Sequence, residues 1–508
     1  MTQRPESLDW RRPSLWLGLL TIAIHLLVNG RYGFFRDELY FIVCGQHPAL
    51  GYVDQPPLVP FLAAGSRALF GDFLIGFRLV PMLAMTATVA MTAEFARLNG
   101  GGRFAQWLSG LALLFGLEFL VFGLLVSTDM LQPLACLLCG WCLVRLEQTG
   151  EERWWLAIGA VVGIALLSKY LIAFFVVALA AGLLFTPIRR SLARPWVYLG
   201  AGLAFLLVAP NLWWQASHGW PFLELGKAGA GGKNLELSPL DFFLQQLLFA
   251  GPLAAPVWLS GLWAGFVRPR WTVWRAFAIA YLILFAVFVA IHGKAYYISS
   301  FYPLLLATGA VRLEGWLTRP SVRGAALGAL ALSGLVTAPF AVPVLSEKAY
   351  IAYAAAVGLS PAATASEHNR LGILPQHFAD MHGWREMAAK VAAVYRALPP
   401  EDRARAVFFG QDYGQSAAID VFGRPLGLPP AIGGHNNYFL WGPMGHDGSV
   451  MLAVGGDRRD YDRLFGSVTV AGKTDDLYAM PYENRPIYVL RNMKVPLGRY
   501  WPRVKHYE

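Results

Sequence analysis

The first two thirds of the chain alternate long apolar runs with short polar joints, and the last third does not. The runs lie near 14–30, 77–96, 104–120, 127–146, 154–168, 170–187, 196–213, 241–266, 274–291, 297–315 and 323–345. They predict about eleven membrane-spanning helices by length and hydropathy. The pair joined at Ser168–Lys169–Tyr170 also reads as one long broken helix. Beyond residue 345 the short apolar pieces Ala406–Phe409, Val450–Val454, Val468–Val470 and Ile487–Leu490 sit between turn clusters and read as strands. Trp384 to Leu398 reads as an amphipathic helix closed by Pro399–Pro400. The expected fold is a multispanning α-helical membrane unit over 1–345, with an extramembrane loop at 31–76, followed by an extracytoplasmic α+β domain over 346–508. The loop carries two helical stretches of its own, Asp37 to Gln46 and Pro57 to Phe70. Their one-sided apolar faces suit a membrane surface. Between them, GYVDQPP forms a rigid turn that fixes the direction of Asp54.

Composition agrees with a membrane protein. The chain has 508 residues, 56% hydrophobic and 15% charged, where a soluble domain carries about 25% charged residues. Many of its 18 tryptophans lie at the ends of apolar runs, as interfacial anchors do. The net charge of +10 comes largely from arginines in alternate loops, among them Arg4, Arg97, Arg103, Arg145, Arg153, Arg189, Arg190, Arg194, Arg268 and Arg275. The opposite loops carry only Arg31, Arg36, Arg67, Lys169, Lys227, Lys233 and Lys294. Positive charge marks the cytoplasmic side, so the 31–76 loop and the tail are expected outside. No basic stripe with interleaved aromatics lies on a soluble segment, which argues against nucleic acid as a partner. Arg11 and Arg12 imitate a twin-arginine signal, but no small-residue cleavage site follows, so the first run reads as an uncleaved span. Cys136, Cys139 and Cys142 read as a buried apolar stripe, because nothing nearby completes a ligand set. Cys44 is alone in the loop and implies no disulfide.

The polar residues that interrupt this pattern are the candidate chemistry. RYGFFRDELYF and GYVDQPPLVPF bring Asp37, Glu38 and Asp54 to the membrane surface. Asp37 reads either as a general base for a hydroxyl nucleophile or as an acid capping its helix. The second acidic site at Asp54 favours the base. Glu38 either orients Asp37 or faces water, since neighbours on a helix point about 100° apart. Other polar groups recur at the same ends of later spans: Asp129 in Ser127–Thr128–Asp129, Lys169 and Tyr170 at the Ser168 joint, Asn211 in PNLWWQ, and His292, Lys294 and Tyr297 in HGKAYY. Ionisable groups at membrane depth mark functional paths, although interfacial charges also snorkel. Two lysines and a histidine suit a phosphate or pyrophosphate, and Asp129 suits either a lysine or a sugar hydroxyl. Several soluble motifs fail. KAGAGGKN at Lys227 to Asn234 lacks the first Gly and final Ser or Thr of a phosphate loop. Asp460–Tyr461–Asp462 reads as a surface turn, and no HExxH or GxSxG occurs. GGHNNYFLWGP, with His435, Asn436, Asn437 and Tyr438, reads equally as an acceptor-lining loop or as structure.

FFRDELYF followed by GYVDQPPLVP resembles the first-loop signature of the family-39-like, C-type (GT-C) glycosyltransferases. These polyprenyl-phosphate-dependent membrane enzymes include the protein O-mannosyltransferases and the lipid A aminoarabinose transferases. STDMLQPLACLL, LSKYLIAFF, PNLWWQASHGWP and HGKAYYISSFYPLL resemble later signatures of the bacterial branch, in the same order. The resemblance implies a GT-C fold and inverting transfer of one sugar from a polyprenyl-phosphate donor to a hydroxyl of lipid A, a glycan, a lipid or a protein. It implies the bacterial inner membrane, with the site and the C-terminal domain periplasmic. Asp37 becomes the base or essential carboxylate, with Glu38 beside it. Arg36, Tyr52, Asp54, Gln55, Asp129, Lys169, Tyr170, Asn211, His292, Lys294 and Tyr297 become the substrate-contact candidates. Lys169, His292 and Lys294 would meet the donor phosphate. Family members often carry His where Gln55 stands, which leaves that position's role open. No cofactor follows with certainty; a divalent cation on the oxygens of Asp37, Glu38 and Asp54 stays open. A transporter or flippase for a lipid-linked sugar is the alternative, and it would place ionisable groups near the bilayer midplane. A non-catalytic assembly subunit is a third reading, opposed by the intact RDE and DQPP segments.

Overall fold

The computed structural model describes residues 12–228, 236–267, 270–360 and 370–507. Arg4, Arg11, Lys233, Arg268 and most of the Lys227 to Asn234 stretch lie outside the described residues. All eleven apolar runs carry helix. Among the described residues, four helices are long and apolar enough to cross a membrane unbroken: Leu79–Leu98, Pro195–Ser217, Val273–Ala290 and Pro320–Phe340. Three bent pairs, each taken as one span, bring these to up to seven by length and composition alone, and other runs carry shorter apolar helices such as Pro13–Val28 and Trp154–Leu166. Glycine and proline explain the breaks. Arg103–Leu114 and Leu117–Leu124 meet at 68° around Gly116, and a 98° bend at Gly251–Pro252 follows Pro239–Phe249. Pro187 opens the short Pro187–Ala193 turn, which leaves Ile172–Leu183 at 116°. The Ser168 joint separates two helices, Trp154–Leu166 and Ile172–Leu183.

The chain forms two compact units. The first comprises Met1–Gly30, Arg78–Trp213 and Glu236–Val344; the second comprises Arg31–Phe77, Trp214–Leu235 and Leu345–Glu508. The first loop, grouped by sequence with residues 1–345, thus forms part of the second unit.

Small residues let helices of the first unit touch, as packing without a hydrophobic drive requires. A Cβ on Gly261 or Gly309 would strike the carbonyls of Leu305 and Val257 across the Ala255–Phe266 and Tyr302–Trp316 helices. Polar clamps then fix the joints. Tyr302 donates its hydroxyl to Gln246 (2.9 Å), and Gln246 donates to the carbonyl of Ala295 (2.9 Å), which anchors the turn leading to Tyr297. Glu147 accepts the N–H groups of Thr272 (2.7 Å) and Val273 (3.0 Å), neutralising orphan donors at a helix start. Cys136, Cys139 and Cys142 are buried and free, as the apolar-stripe reading expects.

The second unit carries a five-stranded sheet in the order β2-β1-β3-β5-β4, with β1 Ala406–Gly410, β2 Ile432–Gly433, β3 Val450–Val454, β4 Phe465–Lys473 and β5 Pro486–Met493. β1 runs parallel to β2 and β3; β5 runs antiparallel to β3 and β4. β3 is buried on both faces, which is why VMLAV reads as a continuous apolar run rather than an alternating one. Helix Trp384–Ala397 buries Trp384, Met387, Ala388, Val391 and Ala392 at helical spacing. The loop helices are Arg36–Gln46 and Leu58–Phe70. The first is tied to the C-terminal residues at its start, where the Arg36 N–H donates to the carbonyl of Asp380 (3.0 Å).

Candidate active site

In the second unit, the helix that begins at Arg36 decides what Asp37 is free to do. Glu38, its third residue, folds back and accepts the N–H of Phe35 (2.9 Å). This is the acid half of a capping box. Glu38 is fully buried, so it neither faces water nor leaves the capping role to Asp37. Asp37 Oδ1 accepts the hydroxyl of Tyr413 (2.7 Å) and the Nε–H of Arg36 (3.4 Å). Its side chain is 36% exposed. Among the described residues, Oδ2 has no hydrogen-bond partner.

Arg36 is held from several directions. Nη1 donates to the Tyr482 hydroxyl (3.0 Å) and lies 3.9 Å from Asp380 Oδ2, and the guanidinium sits 5.3 Å from the centre of the Tyr413 ring. Tyr482 donates to Asp380 Oδ1 (3.0 Å). Asp380 is fully buried, and burial pushes its carboxyl up to about 6 against the pull of Arg36. Burial also raises Tyr413 and Tyr482, so both phenols keep their protons. Arg36, a substrate-contact candidate, is therefore already engaged by protein groups.

The GYVDQPP turn closes through the Tyr52 N–H on the carbonyl of Gln55 (3.0 Å). Tyr40 donates to Asp54 Oδ1 (3.0 Å). Asn437 braces the same turn: its Oδ1 accepts the Val53 N–H (2.7 Å), and its own N–H donates to the Tyr40 oxygen (3.2 Å). Tyr52 and Gln55 are buried. The Tyr52 hydroxyl donates to the carbonyl of Cys44 (2.8 Å), and Gln215 donates to the carbonyl of Tyr52 (3.0 Å). Both residues are built into the turn, and among the described residues the buried Gln55 Oε1 has no hydrogen-bond partner. Asp37, Glu38 and Asp54 have different partners, and among the described residues no group of three or more His, Cys, Asp or Glu is placed to hold a metal ion.

The first unit holds the second cluster. Lys169 donates to both oxygens of Asp129 (2.8 and 2.7 Å), with side-chain exposures of 21% and 11%. Its ammonium also lies 4.8 Å from the Tyr297 ring and 5.6 Å from the Tyr296 ring. Ser168 donates to the carbonyl of Thr128 (2.9 Å), which pins the two joints together. Tyr170 donates to Asn211 Oδ1 (2.5 Å), and Asn211 is buried. His292 is exposed and stands at positive φ (51°), where the chain turns out of Val273–Ala290. Lys294 is partly buried and precedes the Ala295–Phe301 turn. The structure thus joins Asp129, Lys169 and Tyr297, and separately joins Tyr170 to Asn211. An apolar cavity of about 170 Å³ lies elsewhere in this unit, lined by Trp155, Gly159, Leu183, Leu192 and Val197. Trp155 and Gly159 begin the helix whose far end leads to Lys169.

Sequence reasoning did not single out Tyr40, Tyr413, Asp380 or Tyr482. A local signal existed for Asn437, in the polar GGHNNYF stretch. None existed for Asp380 or Tyr482, which pair with Arg36 across more than 300 residues of chain.

Comparison with known proteins bears out the resemblance to the glycosyltransferases. A family model described as dolichyl-phosphate-mannose-protein mannosyltransferase matches residues 54–214. The lipid A galacturonosyltransferase RgtD of Rhizobium johnstonii is 26% identical over 304 residues, 55% of this chain and 60% of that protein. The match therefore spans less than two thirds of that relative's length. The crystal structure of ArnT from Cupriavidus metallidurans bound to undecaprenyl phosphate aligns with a TM-score of 0.61 at 14% identity, covering 94% of this chain and 97% of that one. Its apo form aligns with the same TM-score at 15% identity. At these identities the likeness shows the fold, and the fold is that of the C-type glycosyltransferases.

Proposed function

We propose that the chain is an inverting glycosyltransferase of the bacterial inner membrane, moving one sugar from polyprenyl phosphate to a hydroxyl acceptor on the periplasmic side. The observation that carries this reading is the state of Asp37. One oxygen is fixed by Tyr413 and Arg36, and the other is open on a partly exposed side chain. That is what a general base needs: fixed direction, one free lone pair and access.

In this reading the acceptor hydroxyl gives its proton to Asp37 Oδ2 as its oxygen attacks the anomeric carbon. The bond from that carbon to the phosphate oxygen breaks, and its electron pair leaves on the polyprenyl phosphate. Phosphate is a good leaving group, so positioning and charge stabilisation supply most of the catalysis. Lys169, Lys294 and His292, all in the first unit, are the candidate cations for a phosphate. Asp129 and the Tyr297 ring fix the direction of Lys169 rather than contact the sugar. Asp54, held by Tyr40, faces sugar or acceptor hydroxyls. Arg36 serves through Asp37, and Tyr52 and Gln55 serve through the shape of the turn.

The solved neighbour holds undecaprenyl phosphate and the curated relative is named for lipid A and galacturonic acid, so these chemistries are the first to offer. The test is purified protein in vesicles, given labelled polyprenyl-phosphate hexose, pentose or uronic acid together with lipid A. Label appearing on the acceptor is the expected result. Label crossing the bilayer still attached to the prenol would support the flippase, and neither event would support a non-catalytic subunit.

A further inference from the structure

Tyr413 reaches the first-loop carboxylate from 376 residues away, and the contact is built rather than incidental. Asp412 caps the Tyr413–Ala418 helix by accepting the Gln415 N–H (2.9 Å), which sets where that helix begins. Gly414 follows, and a Cβ there would press on the Arg36 side chain at 2.5 Å from Cγ. The glycine lets the Arg36 stem pass, so Arg36 and Tyr413 approach the same oxygen of Asp37. The phenol ring is held by the Tyr40 ring (4.8 Å), the His435 ring (4.9 Å) and the Arg36 guanidinium.

We infer that Tyr413 is a positioning residue for the Asp37 carboxylate, and that through it the C-terminal residues select Oδ2 as the oxygen that takes the acceptor's proton. This rests on Asp37 being the base. Tyr413 keeps its own proton throughout: it donates to Oδ1 before and after transfer, and the acceptor's proton ends on Oδ2. A carboxylate with one oxygen tethered cannot rotate its open lone pair away from the acceptor, and that restriction is what the tyrosine adds. The groups facing Asp37 are Arg36 from its own helix, Tyr413 from the Tyr413–Ala418 helix, and Asp380, which acts at longer range. Removing Tyr413 takes one stabilising donor from the ionised form, so a higher pH is needed to keep the base active.

The test is Tyr413→Phe in reconstituted vesicles, with pH–rate profiles under donor saturation. The expected result is a fall in kcat of about ten- to a hundredfold, the usual worth of a hydrogen bond to a charged group. KM for the donor should stay near wild type, and the acid limb should move to higher pH. Replacement of Tyr413 by 3-fluorotyrosine, a stronger donor of nearly the same shape, should keep activity and move the limb the other way. A packing role alone would give no such opposed shifts. Unchanged kcat and limb in both variants would overturn the inference. Asp37→Asn, run in parallel, separates the two claims. If it abolishes transfer while both Tyr413 variants behave as wild type, only the positioning role falls; if it retains transfer, the base assignment falls and takes the positioning role with it.

Discussion

Asp37 and Asp129 are the same residue in opposite circumstances. Asp129 spends both oxygens on one lysine and is 11% exposed. Asp37 spends one oxygen on a neutral phenol and a nearby guanidinium, and keeps the other open at 36% exposure. A carboxylate whose two oxygens both meet one ammonium holds that ammonium in place. A carboxylate tethered on one side holds a direction and keeps one oxygen open. The lesson is that an acid's partners, more than its presence in a motif, decide whether it orients or reacts.

The comparison breaks most visibly through Lys169. Lys169→Met should strand the Asp129 charge in a part-buried site and cost about 3–5 kcal/mol, read as a large drop in thermal stability together with loss of transfer. The double variant Lys169→Met/Asp129→Leu should regain stability, because the pair is removed whole, and remain inactive if Lys169 is the cation proposed for the phosphate. If the single and double variants unfold alike, the pair is not the clamp described here.

A smaller effect sharpens the other side. The Asp380 carboxyl, raised by burial, binds its proton near pH 6 in the folded chain and near 3.8 unfolded. The folded state therefore holds a proton that the unfolded state lacks between those values. The sign follows: this group's contribution is greatest below about 3.8 and is lost as pH rises through about 6, by on the order of 3 kcal/mol in all. Thermal unfolding from pH 4 to 8 should show the Tm of wild type falling relative to Asp380→Asn up to about pH 7, then running parallel. A constant difference across the range would mean that Asp380 does not titrate as its burial requires.

Much of the scaffold was legible in local patterns. All eleven apolar runs are helical, and four of the five strands appear where short apolar pieces lie between turn clusters. The two-residue strand Ile432–Gly433 is too brief for any periodicity. The bends at Gly116, Gly251–Pro252 and Pro187 were not legible, because hydropathy measures apolar length alone. In the candidate site, the acids and lysines stood out as charges in apolar surroundings. Their partners did not. Tyr413, Tyr482 and Asp380 belong to ordinary-looking segments far along the chain, and only the fold brings them to Arg36 and Asp37. The choice between Glu38 and Asp37 as the capping acid was likewise invisible until the direction of the Glu38 side chain was known.

The most direct test compares single turnovers of wild type and Asp37→Asn in matched vesicles with a labelled polyprenyl-phosphate sugar, alongside their thermal stabilities. The account predicts a loss of transfer on the order of a thousandfold with unfolding temperature and membrane insertion unchanged. Turnover within a few fold of wild type would contradict it.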